Sequence, residues 1–140
     1  MKIHAILYAL AASTVLTLPV SAADDHKGHN HSGTGAHAGH DDKARHGGVV
    51  RVEKDVNYEL VVKPDVAALY IADHGKPADL KGATAKLTLL TKAGKTEANL
   101  VPAGDRLEAK GGFASGPGTK ALVSVTLAGQ APVSVRFTLK

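Results

Sequence analysis

The sequence predicts an all-β domain: an antiparallel β-sandwich of immunoglobulin-like architecture, with seven to eight strands, preceded by a disordered His-rich arm. Three observations carry that expectation. From Val49 onward the chain consists of short runs in which apolar and polar residues alternate. Turn residues, drawn from fifteen glycines and six prolines, punctuate those runs at short intervals. No run shows the periodicity of a half-buried helix. A small barrel is the other architecture this pattern allows. The Cys and Trp markers of an immunoglobulin domain are absent, so the pattern leaves topology open.

The candidate strands follow in order. Val49–Glu53 is the first. Tyr58–Lys63 is the second, stopped by Pro64, which has no N–H to give a ladder. Ala67–Asp73 leads into the turn His74-Gly75-Lys76-Pro77, and Asp79–Gly82 reads as loop. Thr84–Thr91 sets Ala85, Leu87 and Leu89 against Lys86 and Thr88. Ala93-Gly94 breaks the chain before Thr96–Val101, and Gly104-Asp105 breaks it before Arg106–Ala109. Ser115-Gly116-Pro117-Gly118 is the clearest turn. The last two runs are the best patterned. Ala121, Val123, Val125 and Leu127 share one face of the first; Val133, Val135, Phe137 and Leu139 share one face of the second. Gly129-Gln130, continued by Ala131-Pro132, joins them as a hairpin connection.

Composition narrows the chemistry. The chain is 44% hydrophobic but only 4% aromatic, so its core must rest on Val, Leu and Ala. It has no cysteine, which excludes disulfides and thiolate metal sites. The net charge of +4 is spread along the chain rather than gathered on one helix. That distribution speaks for solubility and against nucleic-acid binding.

Residues 1–22 read as a secretory signal peptide, cut after Ala22 or Ala23. Lys2 supplies the positive start, Ile3–Leu18 is mostly apolar, and Pro19 precedes small residues. The run is short for the roughly 20 apolar residues of a membrane span. No positive cluster follows it, so no stable membrane anchor is expected after cleavage. The expectation is an exported chain, periplasmic in a Gram-negative host.

Between leader and domain lies the arm, residues 23–46. The stretch Asp24–Gly48 holds six of the eight histidines: His26, His29, His31, His37, His40 and His46. Gly, Ser, Thr, Asn and Ala separate them, so the segment cannot bury a core. Neutral imidazole is the commonest protein ligand for metals, and short His spacings let a turning chain chelate one ion. No closed structural zinc pattern is present, which predicts weak, multiple and exchangeable sites. Zn²⁺, Cu²⁺, Ni²⁺ and Co²⁺ all suit imidazole and carboxylate donors, and the sequence does not choose among them. Cu⁺ suits the mature chain less, since it has neither Met nor Cys. A cut after Ala23 would begin the chain Asp24-Asp25-His26, whose amine, amides and imidazole suit planar Cu²⁺ or Ni²⁺.

His46 stands where the arm meets the first strand, before two glycines that allow a tight turn. It reads either as a ligand fixed by the domain or as a linker residue. His74 follows Asp73 at a strand end and reads first as a turn residue. If that turn folds near the domain's N-terminal edge, His46, His74 and Asp73 would share an ion.

Five segments taken together are familiar: His46-Gly47-Gly48-Val49-Val50, Tyr58-Glu59-Leu60-Val61, the run Leu69–Pro77 with its Asp-x-Gly-Lys-Pro turn, Leu107–Gly111, and Val135-Arg136-Phe137. On these the chain resembles small exported bacterial proteins that accompany heavy-metal efflux systems. It is similar to the N-terminal periplasmic region of metal-efflux adaptor (membrane fusion) proteins, and more distantly to YtkA-like sandwich domains. The resemblance covers roughly residues 46–140. It implies periplasmic metal handling beside an efflux component, but supplies no ligand set. The chain lacks the long hairpin, lipoyl and barrel parts of a full adaptor.

Two other classes compete. An enzyme would need a nucleophile, a base and an orienting group. Ser115 and Ser124 have no recognisable partner, Ser134 lies on an expected outer face, and no phosphate-cradling loop appears, so the expectation is no enzyme. An exported β-sandwich interaction or structural module is the alternative; its His-rich segment would be only a linker.

Overall fold

The computed structural model describes residues 43–140. The leader, its cleavage site and the arm with His26, His29, His31, His37 and His40 lie outside the described residues. The described residues form nine strands: β1 (Val49–Glu53), β2 (Val56–Val62), β3 (Val66–Asp73), β4 (Lys76–Pro77), β5 (Thr84–Thr91), β6 (Gly94–Ala103), β7 (Arg106–Lys110), β8 (Lys120–Thr126) and β9 (Val133–Thr138). No helix occurs among the described residues. All pairings are antiparallel, in the order β1-β2-β3-β7-β6-β5-β8-β9, with the short β4 added beside β3.

This is one continuous sheet, nearly closed into a barrel, rather than the two stacked sheets expected from the strand pattern. The reason lies in β6, which is ten residues long. Its first part, Gly94–Leu100, pairs with β5, and its last part, Val101–Ala103, pairs with β7. One strand therefore belongs to both halves and joins them. Alternation alone cannot distinguish such a shared strand from two separate edges, since both give the same inward and outward residues.

Turn chemistry explains the other differences. β2 begins at Val56, earlier than the expected Tyr58, because Lys54-Asp55 makes a two-residue hairpin turn between Glu53 and Val56. Both turn residues have positive φ, 51° and 65°, as a type I′ turn demands. The turn carries no glycine, so the sequence does not advertise it. His74 and Gly75 do the same at φ 48° and 78°, pairing Asp73 with Lys76 and making half of the expected turn into β4.

The core follows the alternation closely. Ala85, Leu87 and Leu89 of β5, Ala121, Val123 and Val125 of β8, and Val135 and Phe137 of β9 are all buried. Leu60, Leu69 and Leu107 form a cross-strand row through β2, β3 and β7, each no more than 1% exposed. Phe113, in the loop after β7, is buried on the core, and its N–H is held by the Pro64 carbonyl at 2.9 Å. The side chains between these inward positions face outward, and one such row carries the candidate site.

Candidate functional site

Tyr58 and Leu60 of β2 point into the core, so the pleat turns Glu59 to the outer face. Antiparallel register places Val50 of β1 and Tyr70 of β3 on either side of it. These three side chains share one outward row. An outward glutamate on a strand is ordinarily solvated, yet Glu59 is only 6% exposed. The segment Arg45–Gly48, just before β1, lies over it.

The cover is made of hydrogen bonds. Backbone N–H groups of His46 and Gly48 donate to Glu59 Oε1 at 2.8 and 2.9 Å. The Arg45 N–H donates to Oε2 at 2.9 Å, and the His46 ring meets the same oxygen through Nδ1 at 2.9 Å. The His46 ring also stacks on Tyr70, with centroids 3.5 Å apart and planes 3° from parallel. One carboxylate thus fastens the root of the arm to the sheet.

Gly48 is required by space. A Cβ there would fall onto the Leu60 carbonyl oxygen and lie 2.9 Å from Val61 Cγ2. Gly47 is required by conformation, with φ +78°. Gly48→Ala is therefore expected to lower stability by about 1–3 kcal/mol, the usual range for overpacking. Denaturant unfolding checks it: a midpoint equal to that of the unsubstituted chain would contradict the close approach.

Burial alone would push the Glu59 carboxyl up. The hydrogen bonds from Gly48, the His46 ring, Arg45 and the His46 backbone outweigh burial and hold it below the ordinary carboxylate value. A carboxyl lowered in the folded state stabilises the fold above its unfolded value, about 4.3. That contribution is lost as pH falls through the folded value. Stability should therefore decline below about pH 4.3 more steeply in the unsubstituted chain than in Glu59→Gln. Parallel stability–pH curves for the two proteins would contradict this.

With Glu59 ionised and accepting only, His46 Nδ1 must carry the ring proton of the neutral form. The lone pair then belongs to Nε2. The His46 side chain is 37% exposed, so solvent and solutes reach it. Beside it is a small pocket of about 100 Å³, lined among others by Val50, Asn57, Tyr70, Ala72 and Pro77.

His74 and Asp73 form a second pair on the β3–β4 turn, with Nδ1 2.5 Å from Oδ1. Their side chains are 77% and 60% exposed. Each of the two described histidines thus has its own carboxylate. Among the described residues no group of three or more His, Cys, Asp or Glu side chains is placed to hold an ion. His46, His74 and Asp73 are therefore not gathered into the shared site that sequence spacing allowed.

Sequence reasoning missed Glu59 and Tyr70 as parts of the site. A signal was present: with Tyr58 and Leu60 inward, a strand glutamate must face outward, and hairpin pairing brings it beside the residues before β1. Comparison of the chain with family models, curated proteins and solved structures gives no match.

Proposed function

We propose that the chain is an exported protein that binds and buffers divalent transition metal ions, Cu²⁺, Zn²⁺, Ni²⁺ or Co²⁺, in the periplasm. Its place in this reading is heavy-metal resistance, handing ions to a periplasmic efflux component. The observation that carries the reading joins the sequence to the fold. Six histidines fall within Asp24–Gly48, and the last of them is clamped to the folded domain with its Nδ1 committed to a carboxylate. Histidines that bind metal commonly have this carboxylate partner, which fixes the tautomer and makes the other nitrogen a better donor. The chemistry is binding rather than catalysis, since no nucleophile with a base and an orienting group is recognisable in the sequence.

The test is a titration of the intact chain with the four metals in competition, beside a chain lacking residues 24–45. The intact chain should take up metal and the shortened chain should lose most of that capacity. The competing reading, an interaction module with a His-rich linker, requires equal uptake by both or none by either.

A further inference from the structure

We infer that the outer face of β5, β6, β8 and β9 is a docking surface for the anionic headgroups of a phospholipid bilayer. These strands are the half of the sheet that does not carry Glu59 and Tyr70. Along the sequence the cations are spread, but strand register gathers them. Ala85, Leu87 and Leu89 are buried, so the pleat turns Lys86 and Leu90 of β5 outward. Leu90 is flanked by Lys95 of β6 and Lys120 of β8. Arg136 of β9 lies in the next outward row, beside Leu122 of β8, and Lys86 in the row beyond. All four cations are exposed. Glu97 is the only acid on the four strands, and it is shared between Lys86 at 3.0 Å and Lys95 at 2.9 Å. Residues 84–100 and 120–140 carry six Lys and Arg against that one acid, whereas the other described residues carry nine against eight. The excess positive charge of the fold therefore sits on this half.

The make-up of the face selects the partner. Lys95 and Lys120 stand one strand to either side of Leu90, roughly 10 Å apart, close to the Debye length at physiological salt, so their potentials overlap. Lysine is a compact, hydrated point charge that suits a diffuse anionic surface. Leu90 is 52% exposed among these charges. At a headgroup boundary such a side chain can enter the apolar region while the lysines stay with the phosphates. A protein partner would instead favour aromatic and arginine anchors, with few lysines. A nucleic acid would favour aromatic rings for stacking or several arginines for base edges. Phe137 is the only aromatic residue on these strands, and it is buried. Attachment of this kind is peripheral and reversed by salt.

The test is co-sedimentation of the full chain with phosphatidylcholine vesicles, with and without phosphatidylglycerol, in the presence of a chelator so that no metal ion bridges protein and lipid. The readout is the ratio of binding to anionic over neutral vesicles, from which any attachment through the apolar leader cancels. That ratio should be well above one at low salt and fall toward one as salt is raised. Each cation near an anionic surface contributes about 5-fold, so Lys86→Gln, Lys120→Gln and Arg136→Gln combined should lower the ratio on the order of 100-fold. Lys54→Gln, Lys63→Gln and Lys76→Gln combined remove the same charge from the other half and should leave the ratio nearly unchanged. The chain has no tryptophan, so Leu90→Trp reports on the face alone. Its emission should shift to the blue with anionic vesicles and not with neutral ones. The salt series and the Leu90→Trp emission decide even if a triple variant folds poorly. A ratio of one at low salt would overturn the inference. So would an equal loss in the two triple variants, an unmoved Leu90→Trp emission, or displacement from the vesicles by duplex DNA at equal phosphate concentration.

Discussion

Leu69→Ala is expected to destabilise the fold by about 2–5 kcal/mol, the range for removing a fully buried leucine. Leu69 is 0% exposed. It sits in β3, between Leu60 of β2 and Leu107 of β7, both also fully buried. Few aromatic residues are available to fill a void here, since aromatic residues make up only 4% of the chain. The loss would take a large share of the roughly 5–15 kcal/mol that stabilises an ordinary domain. It would also reach the outer face, because Tyr70 is the next residue and its position under His46 depends on β3 staying in place. Urea unfolding is the measurement. A loss below about 1 kcal/mol would mean that the row collapses around the gap, contrary to a close-packed barrel interior.

Glu59→Ala should be nearly as costly, about 2–4 kcal/mol, for a different reason. The methyl group accepts nothing, so the N–H groups of Arg45, His46 and Gly48 and the His46 ring all lose their acceptor. Hydrogen bonds to a charged group contribute about 1.5–3 kcal/mol each. The full sum is not reached, because the freed segment can move out to water. The signature is therefore local. Amide exchange at Arg45, His46 and Gly48 should rise toward that of a free chain, while the amides of β5 and β8 keep their protection. Protection retained at those three amides would show that something other than Glu59 holds the segment. Glu59→Gln is not a rescue, since its single carbonyl oxygen cannot replace two acceptor oxygens and its NH₂ would face other donors.

The strand pattern was legible because period-two alternation is a direct consequence of the pleat. Leu87 and Leu89 of β5 and Val135 and Phe137 of β9 are buried as their spacing requires. That the two halves form one continuous sheet was not legible. It depends on β6 pairing with two different strands along its length, and pairing partners leave no mark on one strand's sequence. The turn at Lys54-Asp55 was hidden because positive φ there is met without glycine. At the site, His46 was visible by its position between a His-rich tract and a Gly pair. Its partner was not: Glu59 is far from it in sequence and reads as a solvated strand residue until register places it under Arg45–Gly48. Asp73 and His74 were adjacent in sequence and do pair, but the fold leaves them as an exposed turn of their own.

Equilibrium dialysis of the intact chain against buffered Zn²⁺, with bound metal counted by elemental analysis, asks most directly whether this protein holds metal through its histidines. More than one ion per chain is expected at neutral pH, with the ions released on acidification as protons compete for the imidazole nitrogens. A chain that emerges from dialysis at pH 7 with no Zn²⁺ above the buffer level, or that keeps all of it at about pH 5, would contradict it.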